Sequence, residues 1–264
     1  MKDLLTRTLT GISLVILVAG SILLGPVPFL LVIIMIYLLS ARELMKLQEI
    51  TAWKTFIPVS LSGTVLFLAV YLVLQHRLNP LWFILPAGIW LAGYVSGSRK
   101  FYLLALCWLT LPLTLFYVLG WLAEDATYRP LLPLSLIALV WVNDTFAYLT
   151  GTWIGKHRMT PRLSPGKTWE GFFGGLAFTL IGGGIIYAIS AHYRLTEWLL
   201  LSLIIPVFGL WGDLFESRLK RDRNLKNTGN LLPGHGGILD RFDSLFFSAP
   251  AVFVVVVCYH YFFR

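Results

Sequence analysis

Charged side chains are concentrated near the carboxyl-terminal end of a chain that otherwise has few of them. Residues 217–243 read SRLKRDRNLKNTGNLLPGHGGILDRFD and contain six basic and three acidic side chains. Pro233-Gly234 and Gly236-Gly237 exclude a continuous helix through this segment. The pattern therefore predicts a helix end, a basic loop, a glycine-rich turn and a new helix.

Carboxylates flank this loop at helical spacing. Asp213, Ser217 and Lys220 share one face of the preceding helix, and Asp240 and Asp243 share one face of the following helix. Carboxylates are oxygen ligands for Mg²⁺, while Lys, Arg, His and the amides of a glycine turn suit polyphosphate oxygens. The alternative is a basic loop that only fixes membrane orientation, with the two later aspartates pairing its arginines.

A second polar stretch covers residues 140–175. Asp144 lies inside a predicted span, about two turns from its end, where a carboxylate is costly unless it is paired, metal-bound or hydrogen-bonded to a neighbouring helix. Gly166-Lys167-Thr168 resembles the end of a P-loop, but Pro161 stands where the first glycine belongs. The lysine of this triplet could also form a solvated ion pair with Glu170.

Composition places the chain in a membrane. Hydrophobic residues make up 57% and charged residues 13%, and the mean hydropathy is +0.77, whereas soluble domains have about 25% charged residues. Cys107 and Cys258 lie in separate apolar runs, which excludes a disulfide framework and a cysteine metal site. The net charge of +8 does not indicate nucleic acid, because basic loops between spans are ordinary membrane topology.

Nine apolar runs are long enough, or nearly so, to cross a hydrocarbon core of ~30 Å. They are predicted at about residues 8–25, 28–46, 56–74, 81–96, 101–121, 131–151, 171–190, 197–216 and 242–262. The sequence thus predicts an all-α, polytopic integral membrane protein with a single domain over 1–264. Its functional site is expected on the cytoplasmic side, built mainly from 140–175 and 211–244.

Lys and Arg residues alternate between the two sides of this arrangement. The amino terminus and the loops after even-numbered spans carry 17 of the 21, and the opposite side carries 4. By the positive-inside rule the amino terminus is cytoplasmic, the carboxyl terminus is external, and both polar stretches face the cytosol. The predicted location is the cell (inner) membrane.

Two other features have ordinary structural interpretations. Gly171, Gly175 and the triplet 182–184 give the seventh span a small-residue face, which is expected to pack closely against another helix. Glu43, near the end of the second span, is expected to pair with Lys46 three residues later.

The two polar stretches resemble the shared regions of phosphatidate cytidylyltransferases, also called CDP-diacylglycerol synthases. The matching residues are Ser217-x-x-Lys220-Arg221-x4-Lys226 with LPGHGGILDRFD at 232–243, and Ser164-Pro165-x-Lys167-Thr168-Trp169-Glu170-Gly171 with the upstream Asp144-x-x-Ala147-Tyr148. One position departs, because Asn227 stands where the family usually has Asp. Asn and Asp both shape turns, so position 227 is expected to order the loop without binding metal.

The resemblance implies transfer of CMP from CTP to phosphatidate, giving CDP-diacylglycerol and pyrophosphate. It also implies Mg²⁺ dependence, a monovalent cation such as K⁺ beside it, and a homodimer. Asp213 and Asp240 are expected to be the principal metal ligands, supported by Asp144 and Asp243. The residues expected to bind substrate are Ser164, Lys167, Ser217, Lys220, Arg221, Lys226, His235, Gly236, Gly237 and Arg241, with Ser217 capping or orienting.

Two other functions stay open at this point. A CTP-dependent lipid kinase would use similar residues but transfer the γ-phosphoryl group. A non-catalytic lipid transporter would also place polar residues in its spans, although it is expected to have inverted repeats and charges at the midplane. Here the intramembrane acids lie toward the cytoplasmic side.

Overall fold

The computed structural model describes residues 2–123, 127–190, 192–229, 231–232 and 236–263. The chain is helical throughout these residues except for one two-stranded sheet and the connecting loops. It divides into two compact units, Met1–Pro130 with Leu225–Phe242, and Leu131–Asn224 with Asp243–Arg264. The expectation of a single domain over 1–264 stays a prediction.

The first unit is built from an amino-terminal series of helices. Its elements are α1 (Lys2–Leu24), α2 (Pro26–Leu47), α3 (Trp53–Leu74), a 3₁₀ turn (Pro80–Phe83), α4 (Ile84–Ser96), α5 (Arg99–Leu104), a π-helical turn (Ala105–Thr110), α6 (Leu111–Val118) and a second 3₁₀ turn (Leu119–Trp121). Gly25 separates α1 from α2 with φ +122°, a conformation that L side chains rarely adopt, and proline begins the next helix.

Tyrosine rings seated on glycines fix the helices of this unit. A Cβ at Gly63 of α3 would overlap the Tyr37 ring of α2, whose hydroxyl donates to the carbonyl of Val59 at 2.7 Å. The ring of Tyr102 lies against Gly93 of α4 in the same way. The contact at Gly63 fixes α2 against α3, and α2 carries Glu43 near its end.

The second unit contains the longer helices of the carboxyl-terminal half. Its elements are α7 (Leu131–Ile154), β1 (Arg158–Thr160), β2 (Ser164–Thr168), α8 (Trp169–Ser190), α9 (Leu195–Arg221) and all but the start of α10 (Leu239–Phe263). The two strands pair antiparallel, with Arg158 opposite Thr168 and Thr160 opposite Ser164. The all-α prediction therefore misses a short hairpin that carries Lys167.

Close packing between α7 and α8 confirms the interpretation of Gly171 and Gly175 in the seventh span, whereas a Cβ at Gly184 would meet nothing within 4 Å. A Cβ at Gly171 would lie 2.7 Å from the carbonyl oxygen of Ala147, and one at Gly175 would lie 2.9 Å from that of Asn143. Only glycine permits this approach of two helix backbones. The packing fixes the start of α8, just after the strand that bears Lys167.

The apolar character of the helices makes this a multi-pass membrane protein. Among the described residues, seven helical stretches are long and apolar enough to span a membrane, and two shorter apolar helices cover Thr8–Leu24 and Pro80–Ser96. The seven correspond to seven of the predicted runs, and the shorter two correspond to the first and fourth. A helix satisfies its own backbone hydrogen bonds, which is why these sequences form helices in hydrocarbon.

Candidate active site

Asp213 is the centre of the polar cluster in the second unit. Its Oδ2 lies 2.6 Å from Nζ of Lys167 on β2, and its Oδ1 accepts a hydrogen bond from Oγ of Ser217 at 3.2 Å. The side chains of Lys167 and Asp213 are 21% and 35% exposed, so the pair is reachable from outside. Ser217 thus orients a carboxylate, as its spacing of four residues predicts.

Three further carboxylates lie around Asp243 on α10. Its side chain interacts electrostatically with Asp213, Glu216 and Asp144. Gly212 makes this approach possible, because a Cβ there would overlap the carbonyl oxygen of Asp243. The cluster therefore depends on a glycine that lets α9 and α10 come together.

Lysines balance only part of this negative charge. Lys220 donates to Oε2 of Glu216 at 2.9 Å, a buried pair one helical turn apart, and Lys167 pairs with Asp213. The cluster thus brings together four carboxyl groups and two ammonium groups, those of Asp144, Asp213, Glu216, Asp243, Lys167 and Lys220.

The donor set suits a divalent cation in its ligand chemistry. Carboxylate oxygens are ligands that Mg²⁺ prefers. In the part of the chain that the structure describes, however, no three acidic, histidine or cysteine side chains are arranged to hold a metal ion. The residues fit an ion that takes its remaining oxygens from water and substrate phosphates.

Asp240, on the first turn of α10, belongs to the first unit and organises a loop. Its Oδ2 accepts hydrogen bonds from the amide of Thr228 at 3.0 Å and from the amide of Gly237 at 2.8 Å. The same oxygen lies 3.0 Å from the hydroxyl of Thr228, whose single proton it shares with a second carboxylate. Gly236 precedes this turn with φ +80°, and a Cβ there would lie 2.7 Å from the same oxygen. The amide of Gly237 thus binds a carboxylate of the protein, whereas the sequence had assigned it to phosphate.

A second carboxylate, Glu43 of α2, reaches the same loop. It accepts hydrogen bonds from Thr228 Oγ1 at 3.0 Å, from the amide of Ile238 at 3.0 Å and from the amide of Leu239 at 2.9 Å. The predicted ion pair between Glu43 and Lys46 is wrong, because the structure shows no such pair among the described residues. Three donors from the loop and from the start of α10 occupy the carboxylate.

The hairpin orders the residues around Lys167. Ser164, a predicted substrate ligand, lies half-buried at the start of β2 opposite Thr160. Thr168 ends the strand, and its Oγ1 accepts a hydrogen bond from the amide of Gly171 at 3.1 Å. This bond caps the first turn of α8. Glu170 hydrogen-bonds His157 at 2.5 Å, so it does not pair with the lysine.

The remaining predicted phosphate ligands are basic side chains at the protein surface. Arg221, Lys226 and Arg241 are all exposed, the first at the end of α9 and the other two in the first unit. Lys220 differs from them, because its ammonium is buried against Glu216. His235 lies outside the described residues.

Sequence reasoning missed the roles of three polar residues in these clusters, Glu216, Thr228 and Glu43. Glu216 and Lys220 stand four apart on α9, a spacing that could have signalled their pairing. Thr228 and Glu43 meet across 185 residues of sequence, and no local pattern joins them. Long-range contacts of this kind become visible only in the folded chain.

Comparison with other proteins gives matches over nearly the whole chain. Residues 5–259 match the model of the cytidylyltransferase family. A Staphylococcus haemolyticus (strain JCSC1435) protein named phosphatidate cytidylyltransferase is 32% identical over 265 residues, covering 95% of this chain and 98% of that protein. Proteins of the same name from Staphylococcus saprophyticus and Staphylococcus aureus (strain COL) are 46% identical over 121 and 122 residues, covering 45% of this chain and 46% of each of those proteins.

Proposed function

The chain belongs to the cytidylyltransferase family, and from this premise we propose that it is a phosphatidate cytidylyltransferase of the membrane. It transfers CMP from CTP to phosphatidate, producing CDP-diacylglycerol and pyrophosphate. The observation that carries the proposal is the 32% identity over 95% of the chain to a relative of that name. The acidic and basic residues around Asp213 supply the chemistry that such a transfer requires.

The reaction needs no nucleophile from the enzyme. A phosphate oxygen of phosphatidate attacks the α-phosphorus of CTP, a new P–O bond forms, and the bond to the β-phosphate breaks as pyrophosphate leaves. Both reactants are anions, so the protein must offset their repulsion and stabilise the negative charge of the leaving group. Basic side chains on the loop and on the hairpin are suited to this task.

Lys167 would move between two partners in this scheme. In the structure it pairs with Asp213 at 2.6 Å. A triphosphate offers it more negative charge than one carboxylate does, so the lysine would transfer to a phosphate oxygen. Asp213 would then be released to bind a cation. Lys226, Arg221 and Arg241 would bind phosphates from their exposed positions, and Lys220 would mainly balance Glu216.

Mg²⁺ would be held by Asp213, with its other oxygens supplied by water and substrate phosphates. When bound, the ion would neutralise charge on the triphosphate and on the departing pyrophosphate. Metal binding by Asp144, Asp240 and Asp243 stays a prediction, as do the monovalent cation and the homodimer. One oxygen of Asp240 already accepts two backbone amides and lies 3.0 Å from the hydroxyl of Thr228, which favours a role in ordering the loop.

The membrane arrangement proposed for this enzyme has nine spans. The seven long helices and the two shorter apolar ones supply that number within the described residues. The division of Lys and Arg into 17 and 4 supports a cytoplasmic amino terminus and an external carboxyl terminus. CTP would then reach the loops that carry Lys167 and Lys226 from the cytosol.

Product analysis tests the reaction. Purified protein is incubated with phosphatidate, Mg²⁺ and CTP labelled at either the α- or the γ-phosphate. The proposal requires α-label, and no γ-label, in the lipid product. Label from the γ-position in the lipid would identify a lipid kinase, and label from neither position would leave a non-catalytic lipid transporter as the better description.

A further inference from the structure

We propose that Glu43 is a positioning residue for catalysis, which holds Thr228 and the start of α10 in the arrangement that binds CTP. The link to catalysis rests on the proposed function. Glu43 lies on α2, far from both polar stretches in sequence, and its side chain is only 6% exposed. The inference stands on three observations: its hydrogen bonds, the glycines around it and its relation to Asp240.

The hydrogen bonds of Glu43 cap the start of α10. The first amides of a helix have no partner within the helix, and those of Ile238 and Leu239 donate to Glu43 at 3.0 and 2.9 Å. The carboxylate is negative and lies at the positive end of the helix dipole, so charge adds to the hydrogen bonds. A side chain from α2 therefore fixes where α10 begins.

Two loop glycines are fitted to this carboxylate. A Cβ at Gly229 would lie 2.6 Å from Oε1 of Glu43, and a Cβ at Gly237 would overlap its Oε2 and the hydroxyl of Thr228. Either side chain would push the loop away. The absence of side chains at both positions is therefore explained by the presence of Glu43.

Glu43 is also connected to Asp240 through a single hydroxyl. Oγ1 of Thr228 lies 3.0 Å from Oε2 of Glu43 and 3.0 Å from Oδ2 of Asp240. A displacement of the loop at Glu43 would therefore disturb Asp240 as well. Lys226 and Arg241, the proposed phosphate ligands of this unit, are adjacent to these residues in sequence. Loss of Glu43 should thus weaken CTP binding more than phosphatidate binding.

The test replaces Glu43 by glutamine, which keeps the shape of the side chain. One oxygen becomes an NH₂ group that faces a donor, and the negative charge is lost. Removing a charged acceptor from a buried hydrogen bond costs about tenfold or more in an equilibrium. We expect the amides of Ile238 and Leu239 to exchange hydrogen at least ~10-fold faster, and KM for CTP to rise at least ~10-fold, while KM for phosphatidate changes less than ~3-fold.

Glu197→Gln is the matched control. Glu197 is 8% exposed, and its carboxylate accepts a hydrogen bond from the backbone amide of Arg194 at the start of α9. It is therefore a buried helix-capping carboxylate in the other unit. Its replacement should lower thermal stability in detergent without changing KM for CTP. If Glu43 acted only through overall stability, KM for CTP would respond alike in the two variants. A positioning role predicts that KM for CTP rises in Glu43→Gln alone.

A second pair of variants tests the contact from the loop side if Glu43→Gln does not fold. Gly229→Ala keeps Glu43 but places a Cβ against Oε1, and Gly88→Ala adds a Cβ where nothing lies within 4 Å. Gly229→Ala should raise KM for CTP, and Gly88→Ala should not.

Each outcome decides one part of the inference. Unchanged amide exchange in Glu43→Gln would overturn the anchoring role, and faster exchange with parental KM for CTP would overturn the link to catalysis. If the parent protein makes no CDP-diacylglycerol, the proposed function fails and the catalytic link fails with it. Amide exchange, measured without substrate, then still decides the anchoring role.

Discussion

Replacing Asp213 by asparagine separates the catalytic role of this side chain from its role in stability. The substitution keeps the size and one carbonyl oxygen but removes the negative charge. Asp213 pairs with Lys167 at 2.6 Å and accepts a hydrogen bond from Ser217 at 3.2 Å. Both interactions would weaken, and the acidic cluster would lose one of its four carboxyl groups.

The structure predicts a small effect on folding. The two side chains of the ion pair are 21% and 35% exposed. Ion pairs with this access to water contribute about 1 kcal/mol or less to stability. Asp213→Asn should therefore fold, be extracted in detergent and unfold within a few degrees of the parent.

The effect on activity should be much larger. A neutral oxygen binds Mg²⁺ weakly, so the substitution removes a ligand that would act in the transition state. We expect kcat/KM to fall at least ~100-fold, equivalent to ~2.7 kcal/mol in the barrier. Initial rates of CDP-diacylglycerol formation over a range of Mg²⁺ concentrations measure this loss.

Asp222→Asn serves as the control. Asp222 is an exposed carboxylate at the end of α9, nine positions after Asp213, and it has no assigned role in the site. Its replacement should leave the rate within about twofold of the parent. A tenfold change in rate would correspond to ~1.4 kcal/mol in the barrier. Near-parental turnover by Asp213→Asn at parental Mg²⁺ requirement would refute Asp213 as a metal ligand.

Three further predictions follow from the same structure. Lys167→Gln should raise KM for CTP at least ~10-fold. It should also tighten the binding of Mg²⁺ in the absence of CTP, because a positive charge beside Asp213 is removed. Weaker Mg²⁺ binding in a calorimetric titration would contradict the proposed transfer of Lys167 from Asp213 to a phosphate oxygen. In a background without the two native cysteines, Leu231→Cys should react with a membrane-impermeant thiol reagent from the cytoplasmic side, and a cysteine added at the carboxyl terminus only from outside. Labelling of both from one side would exclude nine spans. Asn227→Asp should change the rate less than ~10-fold and Asn227→Leu should reduce it, and a large gain in the first variant would show that a charge is needed at this position.

Local spacing predicted the parts of the site that lie within one helix. Asp213 and Ser217 stand four apart, and a helix brings such side chains together whatever surrounds it. The same rule misplaced Lys220, which was expected to face phosphate, because Glu216 lies at an equally favourable spacing and is buried beside it. Where two partners compete on one helix, burial decides between them.

Contacts between distant elements could not be predicted in this way. Lys167 lies on a strand whose sequence, Ser-Pro-Gly-Lys-Thr, has one β-branched residue, lacks the alternation typical of strands, and contains Pro and Gly, which are depleted in them. The pairing with Arg158–Thr160 forms this strand, so its sequence alone gave no indication of it. Glu43 was misassigned for a similar reason, because Lys46 was visible in the sequence and three tertiary donors were not.

The bonds of Glu43 also set the time at which the start of α10 can be fixed during synthesis. The carboxylate and its partner amide at Leu239 are 196 residues apart in the chain. At ~5–20 residues per second, a ribosome needs about 10–40 s to make the intervening segment. For most of that interval α2 carries a carboxylate, near its end, whose eventual donors do not yet exist, and such a group is costly wherever it enters hydrocarbon. The nascent protein therefore cannot form these hydrogen bonds until almost all of its helices have been synthesised.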